Sequence, residues 1–390
     1  MRNLHFRLRR LAAAVIGLVF VISGLLKLLD PVGTGLIVTE YFKFFHLGFL
    51  TPVAKGTGIL LALGESVLGT ALITGVFRKP VAFLTYILLG LFTLITLILW
   101  IFNPAMDCGC FGEAIHLTHF QSFLKNIVLL LLAVFSFTPF QNFGVPTKRR
   151  KVAFWLAGAS LLLASVYCNR HLPLLDFTEF APGAELFASL DNDYQAEDGY
   201  VATYIYERDG QRGSFTLDRL PDSTWSFVAV DTVYRNGLAR KVSQPILSFK
   251  DVSGAYQDEL AVLGKTVVFS VYQADRVNWE RLREQMDAVE LSGASSLLLV
   301  FRNPEEAVPV DVPVYEADYK TLITLNRANG GAAYFDEGEL VGKWAPRDFP
   351  ENLSKLFARD PVDVSTDFIV SRRIKAQGFC LYLAAVLFLL

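Results

Sequence analysis

Charge is scarce in this sequence. Of 390 residues, 19% are Asp, Glu, Lys or Arg and 53% are hydrophobic, well away from the roughly 25% charged and 45–50% apolar usual for soluble domains. A membrane protein is therefore the first expectation. A strongly basic face, glycine-rich nucleotide loops, low-complexity tracts and repeats of roughly 20–50 residues are all missing, so nucleic acid and nucleotides are excluded as partners. Cysteine is equally rare. Cys108, Cys110, Cys168 and Cys380 are too few to staple a fold of this size, and each must be judged by its place.

What is present is a divided chain. The formal net charge of -2 hides 14 Lys/Arg against 5 Asp/Glu in residues 1–168, and 22 against 33 in residues 169–390. Apolar runs of bilayer length, about 20 residues, fall near 11–29, 53–77, 80–101, 122–140 and 152–168. Ten of the first 14 cations precede the first run, separate the second from the third, or separate the fourth from the fifth. Because Lys and Arg are retained on the cytoplasmic side, the amino terminus is expected inside. Loops 30–52 and 102–121, with residues 169 to about 373, are then expected outside, where disulfides persist. The basic start could be read as a secretory signal, but no A-x-A-like cleavage site follows it, so a retained helix is expected. The final apolar stretch, Phe379 to Leu390, is short, and either spanning or anchoring fits it.

The most informative string is Asp107-Cys108-Gly109-Cys110-Phe111-Gly112 in the second of these loops. Two thiols one residue apart on an oxidising face suit dithiol/disulfide exchange: a thiolate attacks one sulfur, a mixed disulfide forms, and the second cysteine resolves it. A disulfide across one residue closes a very small ring, and Gly109 supplies the backbone freedom for it. The competing chemistry is metal binding, since His116 and His119 follow at Cys-x-Cys-x5-His-x2-His, and two thiolates with two imidazoles suit Zn or Cu(I). His46 and His171 fall on the same side. Cys168, at the outer end of the fifth run, could relay as a third thiol or have no role, and Cys380 reads as lipid-facing. Glu65, in the middle of the second run, is costly there and should face the bundle interior. It could move protons for the thiols, hold a quinone-like electron acceptor, or bond across helices while Gly56, Gly64, Gly69 and Gly75 let backbones approach. Lys27 and Lys125 could snorkel to headgroups or lower a nearby thiol pKa.

With Ser23-Gly24, Lys27, Asp30-Pro31, Glu65, the Asp107–Gly112 string and Phe123-Leu124-Lys125-Asn126, the chain resembles DoxX-type membrane proteins of the methylamine-utilisation (MauE) branch over about residues 10–140. The resemblance implies a four-helix membrane core and a role in forming or maintaining disulfides in an exported protein, with Cys108 and Cys110 as the redox pair. It implies no amine substrate here.

Beyond residue 170, alternation in Val201–Glu207 and Ser214–Leu217 about Asp209-Gly210, then Trp225–Val233, predicts a small β-rich module. From 246 the order becomes strand (246–249), strand (266–272), helix (278–290), strand (296–301), helix (319–328) and a closing hairpin (332–335, 339–344), an α/β pattern similar to a thioredoxin fold. The usual Cys-x-x-Cys place reads Gln273-Ala274-Asp275-Arg276, and Asn329-Gly330-Gly331 stands where a cis-proline is usual. This domain is expected to dock a partner or act as scaffold, without exchanging thiols.

The expected architecture is an α-helical membrane bundle followed by an α+β extracytoplasmic region. Residues 1–140 form the DoxX-like core, 141–170 a basic loop and fifth span, and 171–245 the β module. Residues 246–358 form the thioredoxin-like domain and 374–390 an apolar membrane segment. The expected setting is an inner membrane, with an exported client or periplasmic redox partner as well as the lipid bilayer. A quinone is a candidate acceptor.

Overall fold

A computed structural model describes residues 2–104, 106–138, 146–186, 200–208, 211–216, 226–234, 245–301, 309 and 312–389. The Asp209-Gly210 turn, Leu217 and Trp225 lie outside them. Among these described residues, five helices are long and apolar enough to cross a membrane: α1 (Arg2–Leu29), then, after α2 (Pro31–Phe44), α3 (Ala54–Thr74), α4 (Arg78–Phe102), α5 (His119–Phe137) and α6 (Lys148–Arg170). A short extended segment, β1 (Cys110–Glu113), separates α4 from α5.

The loop expected at 30–52 is largely helix α2. Asp30 starts it: its carboxylate accepts from the Gly33 N–H at 2.9 Å, and Pro31 occupies the first turn, where its missing N–H is no loss. The Asp30-Pro31 pair therefore ends one helix and begins another.

Glycine sets the packing of α1 on α3. A Cβ on Gly17 would lie 2.7 Å from the Gly69 carbonyl oxygen, and one on Gly24 would lie 2.2 Å from Ser66 Oγ. Of the four glycines expected to allow close approach, only Gly69 does so. Gly56 and Gly64 face open space, and Gly75 closes α3 in the left-handed conformation at φ 73°.

Three antiparallel strands follow, β2 (Tyr200–Arg208), β3 (Gln211–Thr216) and β4 (Ser226–Tyr234), in the order β3-β2-β4. A second sheet comprises β5 (Phe249–Lys250), β6 (Lys265–Val271), β7 (Ser295–Val300), β8 (Val314–Ala317), β9 (Gly331–Asp336) and β10 (Glu339–Trp344), in the order β10-β9-β6-β7-β8-β5. β6, β7 and β8 are parallel, and β9 runs antiparallel to β6. Helix α7 (Trp279–Leu291) connects β6 to β7, α8 (Tyr319–Leu325) precedes β9, and α9 (Leu353–Phe357) follows β10. Val267 to Val271 are buried on both faces, as expected for a central strand covered on two sides.

Three expectations need correction here. The strand expected at 246–249 is confined to Phe249–Lys250, the two residues that pair with Ala317 and Glu316. Strand β8 was not foreseen. The helix expected to reach 328 stops at Leu325, because the Asn326 side chain donates to the carbonyls of Ala332 and Trp344, tying the chain to the hairpin instead.

The last helix, α10 (Pro361–Leu389), is one continuous element much longer than the 374–390 segment expected. Its first half contacts the sheet region, with Phe368 edge-on to Trp344. Its last turns place Leu383 and Leu387 against Ala157 and Leu161 of α6.

Candidate functional site around the Cys-Gly-Cys loop

The close approach of α1 to α3 brings Ser23 and Lys27 onto Glu65. Lys27 Nζ lies 2.7 and 2.9 Å from the two Glu65 carboxylate oxygens, and Ser23 Oγ is 2.7 Å from Oε2. All three side chains are buried. Lys27 thus does not snorkel to headgroups: the close helix crossing puts a carboxylate within its reach.

This cluster touches the cysteine loop. Ser23 Oγ lies 2.6 Å from the Cys110 carbonyl oxygen, and the Tyr41 hydroxyl of α2 donates to the Cys108 carbonyl at 2.7 Å. Two hydroxyls on different helices therefore hold the backbone on either side of Gly109. Gly109 itself has φ 59°, and a Cβ there would meet Ile37 Cγ2 at 2.4 Å, so conformation and space both demand glycine.

The two thiols are free, and each shifts the ionisation of the other. Ser122 Oγ, on α5, is 2.8 Å from Cys108 Sγ. The pair is polarised. The neighbouring Cys108 pulls the Cys110 thiol pKa down, with Lys125 and Lys27 adding to the effect against the opposing pull of burial. The neighbouring Cys110 and burial push Cys108 up. Of the two, Cys110 is the one for which the thiolate, the reactive form of a cysteine, is favoured. Tyr41 is also pushed up, by burial first and then by the neighbouring thiols, so it stays a donor.

Lys125 stands over the Phe111 ring at 5.0 Å, within the range of a cation–π contact. With Cys108, Cys110, Ser23, Lys27 and Tyr41 it lines a cavity of about 260 Å³ that runs among the helices.

On the other side the loop meets the sheet region. Arg327, which directly follows the Asn326 tie, reaches Asp30 (Nε to Oδ2, 3.2 Å) and Glu113 (Nη2 to Oε2, 3.8 Å). Burial pushes the Glu113 pKa up while Arg327 pulls it back. Beneath Arg327, Asn329 Oδ1 accepts from the Tyr272 and Gln273 N–H groups, and the Tyr272 hydroxyl donates to the Arg327 carbonyl. His171, at the end of α6, adds a contact to Asp348 at 2.9 Å.

Of the residues picked out by sequence, Cys108, Cys110 and Glu65 are brought together through Ser23. Cys168 is not with them: it is buried in an apolar cluster with Leu25, Leu28 and Ala157. Cys380 is exposed on α10. His116 pairs with Asp107 at 3.1 Å and His119 with the Pro104 carbonyl at 3.1 Å. Among the described residues, no group of three or more His, Cys, Asp or Glu side chains is placed to hold a metal. His46 lies exposed beside the Phe44 carbonyl. Sequence reasoning missed Tyr41, Ser122, Asp30 and Arg327 as site residues. The Asp-Pro helix start was a usable signal for Tyr41. Arg327 had none, because its partners lie in a distant part of the chain.

These elements define a multi-pass membrane protein with a sheet-containing region docked on its cysteine loop. Residues 7–139, which carry α1 to α5 and that loop, match the family described as methylamine utilisation protein MauE, so the membrane bundle is built on a MauE family domain. Residues 200–235 match a family described only as a domain of unknown function, DUF8463. The chain is also similar to Protein TlpB of Flavobacterium psychrophilum, with 29% identity over 128 residues, 32% of this chain and 34% of that protein. The match thus spans about a third of that curated relative. No solved structure matches the chain.

Proposed function

We propose that this protein exchanges thiols and disulfides at the outer face of an inner membrane, forming or maintaining disulfides in an exported client. The observation that carries the reading is the placement of Cys108 and Cys110 on either side of the left-handed Gly109, both lining one cavity with Lys27 and Lys125, and the bias of Cys110 towards thiolate agrees with it. In the oxidising direction, a client thiolate attacks the Cys110 sulfur of the closed pair and Cys108 leaves as thiolate. A second client thiolate then attacks the client sulfur of the mixed disulfide, which releases Cys110 and leaves the client bridged. Glu65 acts as a positioning residue, fixing Lys27 and Ser23 beneath Cys110.

The orientation rests on charge. Arg2, Arg7, Arg9 and Arg10, then Arg78 and Lys79, then Lys148 to Lys151 all mark the bundle end opposite the cysteine loop, and by the positive-inside rule that end is cytoplasmic. The sheet region supports a thioredoxin-like reading through its run β7-β6-β9-β10 with α7 as the β6–β7 crossover. With Gln273 to Arg276 where reactive cysteines would stand, it serves to dock and cover, while the chemistry belongs to the membrane loop.

Thiol alkylation on intact cells, with and without reductant, tests the proposal. A Cys108→Ser variant should accumulate a mixed disulfide through Cys110. A pair that never changes oxidation state, or that is labelled only after the cytosol is opened, would end this reading.

A further inference from the structure

We infer that the cavity beside Cys108 and Cys110 binds the ring of a membrane quinone, which accepts the electrons released when the pair closes. This rests on the exchange reading and names the acceptor that regenerates its oxidised form.

The walls and the floor of the cavity point to different parts of one ligand. Val19, Phe20, Ile95 and Leu129 from three membrane-spanning helices, with Phe42 of α2, give it apolar sides. Its occupant is therefore hydrophobic and arrives from the bilayer. Polar groups share the lining with the two cysteines, Lys125, Asn126 and Thr96 among them. Lys27 is already committed to Glu65, and one Asn126 N–H goes to Thr96. Lys125 Nζ stands over the Phe111 ring and close enough to Cys110 to act on its thiol, so a charged donor faces the cavity beside the sulfurs. A lipid acyl chain would satisfy the walls and leave these donors facing hydrocarbon, where each unsatisfied group costs several kcal/mol. A quinone satisfies both, because its ring and isoprenoid tail are apolar and its carbonyl oxygens accept hydrogen bonds. The volume, about 260 Å³, lies just below the ~300–1,000 Å³ common for small-molecule sites, which suits one ring with its tail outside.

The electron count closes without another reactant. Two S–H bonds break and one S–S bond forms, releasing two electrons and two protons. The quinone takes up both pairs, its carbonyl oxygens becoming the two hydroxyls of a quinol. Lys125 would stabilise the negative charge that develops on the nearer oxygen, as a preorganised cation does in a dry site.

The test uses the full wild-type chain in lipid nanodiscs, reduced, freed of reductant and kept anaerobic. Menaquinone-1 is added to one sample and glutathione disulfide to another. One quinol per protein, with loss of alkylation at Cys108 and Cys110, is expected in the first sample, and loss of alkylation in the second. Oxidation by glutathione disulfide without quinol formation would overturn the quinone inference and leave the exchange reading standing; failure in both samples would overturn both. In parallel, an azido-naphthoquinone photolabel should mark Ile95, Leu129 or Phe42. Labelling confined to outward-facing residues such as Phe83 and Leu131 would show a lipid-phase encounter only and overturn the site.

Discussion

Arg327 and Asp30 form a buried ion pair between the sheet region and the α1–α2 junction, Nε to Oδ2 at 3.2 Å, with both side chains almost wholly shielded from solvent. Asp30 also caps α2 through the Gly33 N–H. One carboxylate therefore sets a helix start inside the bundle and holds the domain above it.

Those two duties can be separated. Asp30→Asn keeps a capping oxygen and loses the charge, whereas Asp30→Ala loses both. Breaking one side of a buried pair costs about 3–5 kcal/mol, and losing the cap about 1 kcal/mol more. Asp30→Asn should speed amide exchange in residues 326–331 while α2 stays protected, and Asp30→Ala should open both. Equal protection of residues 326–331 in wild type and Asp30→Asn would show that the pair does not hold the domain.

The polarised thiols give a pH signature. Cys110 has its pKa lowered, so its thiolate, and its alkylation, should persist well below the ordinary thiol range of about 8.5 and fade as pH drops through the depressed value. Cys108 is shifted the opposite way and should react only at high pH. Position-resolved alkylation by mass spectrometry reads both. Indistinguishable profiles would remove the assignment of Cys110 as nucleophile.

Glu65 neutralises Lys27, and Lys27 in turn favours the Cys110 thiolate. Glu65→Gln should therefore move the Cys110 alkylation profile to lower pH, and Lys27→Met to higher pH. Simple loosening of the bundle would not move the two variants in opposite directions.

The α1–α3 crossing predicts a contrast between two glycines on neighbouring helices. Gly24→Ala forces its Cβ onto Ser66 and the Ala62 carbonyl, with 2.2 and 2.5 Å available. It should destabilise the detergent-solubilised protein by about 1–3 kcal/mol and disturb Ser23. Gly64→Ala, which meets open space, should be neutral or slightly stabilising. Thermal unfolding compares them, and equal melting shifts would count against the crossing.

The bundle was legible because bilayer-length apolar runs and clustered cations are local signals. The Asp107–Gly112 string stood out for the same reason, being six consecutive residues. Glu65 stood out as a charge in an apolar run, but its partner did not: Lys27 near a helix end looks like any snorkelling lysine until the close approach at Gly17, Gly24 and Gly69 is known. In the sheet region, long buried β6 and β7 were readable, whereas β8 and two-residue β5 are too short to carry a period. Arg327 had no local mark, because a surface arginine and one buried between two acids have the same sequence neighbourhood.

The placement of Arg327 also orders events in time. A chain made from its amino terminus positions Asp30 and Glu113 long before the guanidinium that neutralises them emerges. Until the sheet region has settled on the bundle, those two carboxylates lack the guanidinium that joins them. A fragment ending after α6 would keep both sulfurs and the cavity while staying in that unfinished condition. With 14 Lys/Arg against 5 Asp/Glu up to residue 168, such a fragment should bind anionic surfaces more strongly than the whole protein does.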